Sequence, residues 1–263
     1  MNPVSVVIIA RNEKRNIERC LRSVSWADEI IVMDSQSHDG TADLARQHGA
    51  GVYDYVWSGY GAAKRAAVEK ASHDWILSID ADEEITPPLR QEIQAVLSGH
   101  AGHNGYYLPR RTLFLGRWIR HCGWYPDHVL RLFRKSRGNF DDAVVHERVV
   151  IDGAAGYLKN DMLHYSYPTL EEYFRKFDWY TTLGAREAAR RGLRAGWLDI
   201  AGKPPLSFVS HYLIRQGFRD GLEGFLVSAL SALAVMVKYA KVREIQRTGE
   251  VLEKEYVETT GSR

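Results

Sequence analysis

Three short apolar, largely β-branched runs, VSVVIIA, EIIVM and WILSI, are separated by helix-patterned segments, and each is followed within a few residues by carboxylates. Strand, helix and return strand in that alternation make βαβ units, which close as a mainly parallel sheet with helices on its faces. Val4–Ala10 reads as the first strand. A helix from about Asn16 to Ser25 follows, with Ile17, Leu21 and Val24 at helical spacing, and a second strand runs from Glu29 to Met33 and ends at Asp34. Thr41 is expected to cap the next helix, and 52–56, 61–71 and 75–79 give strand, helix and strand. Polar residues at strand ends matter because open α/β sheets bind ligands in the crevice beyond the carboxyl ends of their strands.

Past the Pro87-Pro88 helix start, the segment from Tyr106 to about Ser166 is strand-like and rich in Arg, Trp and Tyr. From Thr169 the pattern is helical, through Leu170, Tyr173, Phe177 and Tyr180; it breaks at Gly192–Pro205 and resumes from Leu206 to Arg247, before a frayed tail from about Gly249. The expected organisation is an α/β domain over 1–166, with a first half to about 100 and a second half over 101–166, then a helical C-terminal region over 167–263. With 35 basic against 33 acidic residues among 263, the chain lacks the basic excess of a nucleic-acid binder. Cys20 and Cys122 make no disulfide framework, the N-terminus shows no signal peptide, and a cytoplasmic location is the expectation.

The strongest chemical signal is Asp80-Ala81-Asp82, followed by Glu83 and Glu84. Carboxylates crowded at a strand end repel one another unless a cation or hydrogen-bond donors compensate, and hard oxygen ligands suit Mg²⁺ or Mn²⁺ carrying a diphosphate. A bare D-x-D also occurs in polar turns, so its weight comes from two further strand ends, Asp34-Ser35-Gln36-Ser37-His38-Asp39 and Ala10-Arg11-Asn12-Glu13. Three neighbouring ends of this kind line one crevice, with acceptors for a base and a ribose. Neither a G-x-x-x-x-G-K-[ST] loop nor a G-x-G-x-x-G turn is present, which counts against P-loop kinases and dinucleotide oxidoreductases.

In the order and spacing of VSVVIIARNE, VMDSQSHDGT and WILSIDADEE, the chain resembles the family 2 glycosyltransferases of GT-A fold over about residues 4–165. The resemblance implies a Rossmann-like, mainly parallel sheet. It also implies that Ala10, Arg11 and Glu13 frame a nucleoside pocket, that Asp34 receives the base, and that Asp80 contacts nucleoside or diphosphate. Asp82 would bind a divalent metal, with His164 as a second ligand. Lys64 reads equally as a sugar or diphosphate contact and as a solvated helix lysine. An inverting transfer needs a base for the acceptor hydroxyl. The family's acidic pair falls on Val145-His146-Glu147-Arg148, which makes Glu147 the first choice and Asp127 its competitor, although His-Glu replaces the usual pair and a structural ion pair explains Glu147 as well.

Basic and aromatic residues interleave from Arg110 to Arg134, among them Arg111, Trp118, Trp124 and Tyr125, a mixture suited to a carbohydrate acceptor bearing negative charge. Together with CGWYPDHVLRLFRK and VVHERV, these features are similar to the bacterial lipopolysaccharide-core β-1,4-glucosyltransferase subgroup. That similarity implies a UDP-glucose donor and a glycan or glycolipid acceptor. The apolar Phe225–Val237 run, followed by Lys238, Lys241, Arg243 and Arg247, fits an anionic inner-membrane surface and a buried place against the catalytic domain or a second copy equally well. At Gly224–Val237 it is shorter than the roughly 20 residues a spanning helix needs. The rival readings are a nucleotidyltransferase, for which the Gly-rich basic N-terminal loop is missing, and a non-catalytic membrane-surface protein of the same fold.

Overall fold

The computed structural model describes residues 1–99, 102–141 and 148–249. They divide into two compact units, the first formed by Met1–Arg111 and Pro126–Tyr165, the second by Thr112–Tyr125 and the chain from Ser166 onward.

In the first unit, β1 (Val4–Ala10), α1 (Lys14–Ser23), β2 (Glu29–Asp34), α2 (Thr41–Gln47), β3 (Gly51–Asp54), α3 (Tyr60–Lys70) and β4 (Trp75–Asp80) give the expected βα alternation. β5 (Glu83–Ile85), α4 (Pro87–Ser98), β6 (Gly105–Phe114), β8 (Asp127–Arg134), β9 (Gly138–Phe140), β10 (Val149–Ile151), β11 (Ala155–Tyr157) and β12 (Met162–Tyr167) follow, while β7 (Arg117–Trp118), between β6 and β8 in sequence, falls in the second unit. The sheet order is β3-β2-β1-β4-β8-β6-β12-β5, parallel through β3, β2, β1 and β4 and antiparallel where β8 joins β4 and β6. This is the mixed α/β fold with a mainly parallel core that the strand pattern requires.

Period-two alternation sorts β1 onto two faces. Val4, Val6 and Ile8 pack with Ile17 and Leu21 of α1, Ala45 of α2 and Leu89, Ile93 and Leu97 of α4. Val7 turns the other way, to Ile31, Ile76 and Ala67 and Val68 of α3. Helices on both faces explain why these strands read as continuous apolar runs.

Two local expectations are corrected. Thr41 is the first helical residue of α2, not its cap; Gly40 takes the cap position at φ 92°, and the Asp39 carboxylate accepts from the Thr41 N–H at 3.0 Å. The third strand is Gly51–Asp54, shifted towards its N-terminal side, since it pairs in register with Ile31–Asp34.

The second unit holds α5 (Leu170–Arg190), α6 (Lys203–Val209) flanked by π-helical turns at Leu198–Gly202 and Ser210–Ile214, a 3-10 turn at Gly217–Asp220, and α7 (Gly221–Thr248). The helical pattern therefore resumes well before Leu206, with Pro204 and Pro205 at the start of α6 directly after the π-helical turn. Leu170 and Tyr180 of α5 are exposed, whereas Tyr173 is buried against Phe114, 5.7 Å between ring centres. The apolar stretch of α7 is also longer than the sequence pattern implied: the helical run Gly217–Thr248 is long and apolar enough, by length and composition, to cross a membrane. The tail beyond Gly249 lies outside the described residues.

Candidate active site

The register places the three acidic strand ends side by side. Ala10 pairs with Asp34 across β1 and β2, and Ile9 pairs with Asp80 across β1 and β4. The loops that follow are stitched together: Ser35 N–H donates to the Ala10 carbonyl at 2.8 Å, Asn12 N–H to Ser37 Oγ at 2.8 Å, His38 N–H to Asn12 Oδ1 at 2.9 Å, and Glu13 N–H to Thr41 Oγ1 at 2.8 Å. Asn12 and Gln36 adopt φ 53° and 59°, the left-handed region that non-glycine residues enter at a cost, and both lie in these loops.

Asp34 is buried. One carboxylate oxygen accepts from Ser37 N–H at 2.9 Å, while the other, Oδ1, is buried without a hydrogen-bond partner among the described residues. A buried carboxylate oxygen left in that state is costly unless a ligand donor meets it. Glu13 opens α1 and accepts from Asn16 Nδ2 at 2.7 Å; Arg11 is half-buried beside it in sequence.

Asp80 lies between two cations, with Lys64 Nζ 2.8 Å from Oδ1 and Arg131 Nη2 2.6 Å from Oδ2. Burial raises the Asp80 pKa, but the charges of Arg131 and Lys64 outweigh it and hold the carboxyl well below the usual range. Lys64 is buried on α3, so the solvated-lysine reading is excluded.

Arg131 continues the network to Glu83, 3.0 Å away, and Glu83 also receives Arg110 at 3.2 Å and the Asp80 N–H at 2.8 Å. Arg110 grips Asp127 through Nε at 3.0 Å and Nη2 at 2.6 Å. Charges therefore alternate from Lys64 through Asp80, Arg131, Glu83 and Arg110 to Asp127. Sequence reasoning singled out neither Glu83 nor Arg131 for this role. The burial of Glu83 in β5, opposite His164 in the β5–β12 register, shows only in the structure.

Asp82 Oδ2 lies 3.2 Å from His164 Nε2, and Tyr165 N–H donates to the Asp82 carbonyl at 2.9 Å. Tyr165 Oη donates to Glu84 Oε2 at 2.6 Å; burial and that carboxylate push its pKa up to about 12. A carboxylate oxygen facing an imidazole nitrogen is a mixed donor set that suits Mn²⁺ better than the oxygen-seeking Mg²⁺. No group of three or more His, Cys, Asp or Glu residues able to hold a metal occurs among the described residues. The pair thus fits a cation whose remaining ligands come from a diphosphate, not a closed protein cage.

Of the expected acceptor residues, Arg111 is paired with Asp161 at 2.5 Å in the first unit. Trp118, on β7, Trp124 and Tyr125 belong to the second, where Trp124 packs edge-on against Phe114 at 5.9 Å and is part of the apolar core. Glu147, with His146, lies outside the described residues.

The sequence model of the family described as Glycosyl transferase family 2 matches residues 5–106. The chain is 31% identical to the lipopolysaccharide core biosynthesis glycosyltransferase LpsC of Rhizobium meliloti (strain 1021), covering 91% of this chain and 92% of that protein. It is 29% identical to an uncharacterised glycosyltransferase of Rickettsia typhi over 93% of this chain and 88% of the relative. A solved structure of glucosyl-3-phosphoglycerate synthase from Mycobacterium tuberculosis with Mn²⁺, UDP-glucose and phosphoglyceric acid overlaps 42% of this chain and 44% of its own, at TM-score 0.37 and 30% identity. The chain belongs to the family 2 glycosyltransferases, and the reaction class is glycosyl transfer.

Proposed function

We propose that this glycosyltransferase moves a sugar, with glucose the first choice, from a UDP-sugar to a hydroxyl of a lipopolysaccharide-core or related glycan, inverting the anomeric centre. The observation that carries the donor reading is the buried, unpartnered Oδ1 of Asp34 beside the stitched loops after β1 and β2. A uracil presents a ring N–H donor, which that oxygen would accept. Ala10, Arg11 and Glu13 frame the base and ribose, and the Lys64–Asp80 pair stands at the end of the neighbouring strand.

Asp82 and His164 would hold a divalent cation, which supplies Lewis-acid stabilisation of the negative charge on the departing diphosphate. The remaining requirement is a base. Asp127 is held by two hydrogen bonds from Arg110, both to its Oδ2, which fix the carboxylate's orientation and occupy that oxygen. Glu147 therefore keeps first place as the group that takes the acceptor hydroxyl's proton, on the basis of its position in the sequence. The acceptor assignment rests on the likeness to the Rhizobium protein, whose name places it in lipopolysaccharide core biosynthesis.

The test is product analysis. Incubation with UDP-glucose, Mn²⁺ and a core oligosaccharide should release UDP and yield a β-linked glucoside by NMR, with Glu147→Gln losing turnover while UDP affinity stays near wild type and Asp127→Asn retaining turnover. An α-linked product would defeat the inverting mechanism, and transfer from another nucleotide sugar alone would replace the donor.

A further inference from the structure

The second unit turns an apolar surface outward. Along the helical run 197–214, the exposed side includes Trp197, Leu198, Leu206, Val209, Leu213 and Ile214, with Trp197 and Leu198 each 76% exposed, Ile214 73% and Leu206 70%. Phe218 and Leu222, also exposed, extend it to the start of α7. The inward side is already committed. Phe208 and Tyr212 meet Phe225 of α7 at 5.7 and 5.8 Å, and His211 Nδ1 is 2.7 Å from the Ser207 carbonyl. A helix apolar on both sides, with one side bare, departs from the polar-out pattern of a soluble surface helix. A contiguous exposed apolar patch of this kind marks an interaction surface.

The exposed charges around it have one sign. Between Leu193 and Leu222 the exposed charged residues are Arg194, Lys203, Arg215 and Arg219, with no exposed aspartate or glutamate. Asp220 is buried, and Asp199 is only partly exposed and is engaged by Lys203 at 2.7 Å and the Gly196 N–H at 2.8 Å. Arg194, Arg215 and Arg219 pair with no carboxylate among the described residues, which leaves three cations beside the apolar surface.

We propose that this face docks the enzyme on an anionic lipid bilayer, with Trp197, Leu198, Leu206 and Ile214 entering the headgroup–acyl boundary and the three arginines meeting lipid phosphates. Apolar area plus juxtaposed cations is what interfacial helices use to bind such surfaces. A second copy of the chain fits worse, because pairing two such faces brings like charges together. The helix rests on the surface without crossing it. Although only 28% of the most apolar window of α7 is buried, Tyr239, Val242 and Ile245 pack with Ala185 of α5, and Lys241 Nζ donates to Asp178, Thr181 and Thr182 on the same helix. These contacts occupy one side of the only described helix with the length and composition to span.

The full-length protein, without donor or acceptor, is sedimented with vesicles of phosphatidylcholine alone and of phosphatidylcholine mixed with phosphatidylglycerol. Wild type should bind the mixed vesicles. The exposed-face triple variant Trp197→Ser, Leu206→Ser, Ile214→Ser, checked for an unchanged circular dichroism spectrum and melting temperature, should lose at least about tenfold in partitioning. Arg215→Gln with Arg219→Gln should reduce the preference for anionic vesicles by about fivefold per charge. Absence of wild-type binding to mixed vesicles overturns the proposal, as does a folded triple variant that binds like wild type. A concentration-dependent dimer dissolved by the triple variant, without vesicle binding, would assign the face to a second copy. Retention of the protein on membranes through alkaline carbonate washing would overturn the interfacial placement in favour of a spanning helix. Because no nucleotide is used, failure here is distinct from failure of the donor reading.

Discussion

Asp82 Oδ2 and His164 Nε2 stand 3.2 Å apart, joining the turn after β4 to β12. On the proposed reading, two donors at this separation would be an incomplete ligand set, and metal affinity would depend on bound nucleotide. His164→Ala is therefore expected to raise the Mn²⁺ concentration needed for half-maximal UDP binding by at least about tenfold, with the fold intact. Calorimetric Mn²⁺ titration at fixed UDP measures this, and an unchanged titration would remove His164 from the site.

Asp34 is expected to choose the base. Asp34→Asn retains an acceptor for the Ser37 N–H but can present an amide donor where Oδ1 now stands. UDP affinity should fall by about tenfold or more, and the preference for UDP over CDP should shrink, since cytosine offers an acceptor at the ring position where uracil offers a donor. Equal losses for both nucleotides would deny Asp34 a role in base choice.

Glu83 is fully buried between Arg110 and Arg131. Removing one charge from such a network leaves two desolvated guanidinium groups undercompensated, a cost of about 3 kcal/mol. Urea unfolding of Glu83→Gln should show that loss of stability. The exposed pair of Glu18 and Arg22 is the control, and Glu18→Gln should shift stability little. A Glu83→Gln protein as stable as wild type would show that the network is not strained by loss of its central carboxylate.

Acid should loosen the loops after β1 and β2 through Asp39. Burial raises its pKa, but hydrogen bonds from Thr41 and the Lys14 N–H outweigh it and hold the carboxyl below the ordinary value. A group depressed in the folded state contributes stability that is present above its unfolded pKa and is lost as pH falls through the folded value, hence below about pH 4. The Asp39→Asn protein should melt lower at neutral pH and show a flatter decline below pH 4. Parallel wild-type and variant melting curves across that range would contradict the assignment.

The parts of this fold legible in the sequence are those set by local pattern. β1 is bounded by Val4 and Ala10 in both sequence and structure, because an apolar run ended by Arg11-Asn12-Glu13 leaves little freedom. The alignment of Asp34 and Asp80 beside β1 followed from parallel pairing. The hidden parts are long-range. Lys64 reads equally as a ligand contact and as a solvated helix lysine until β4 brings Asp80 to it, and Glu83 reads as one more acid of a polar turn until Arg110 and Arg131 arrive from β6 and β8. The exposed face of 197–214 is not legible because Gly192–Pro205 resembles a loop, and no local pattern says which side of a helix with apolar residues on both sides is covered.

The central claim is a metal-dependent nucleotide-diphosphate site at the ends of β1, β2 and β4. Calorimetry of UDP binding, with Mn²⁺ and with EDTA, on wild type and on Asp82→Ala, tests it without any choice of sugar or acceptor. The account predicts binding to wild type only with Mn²⁺ and none to Asp82→Ala at an unchanged melting temperature. UDP binding of equal strength in EDTA, or no UDP binding under either condition, would contradict it.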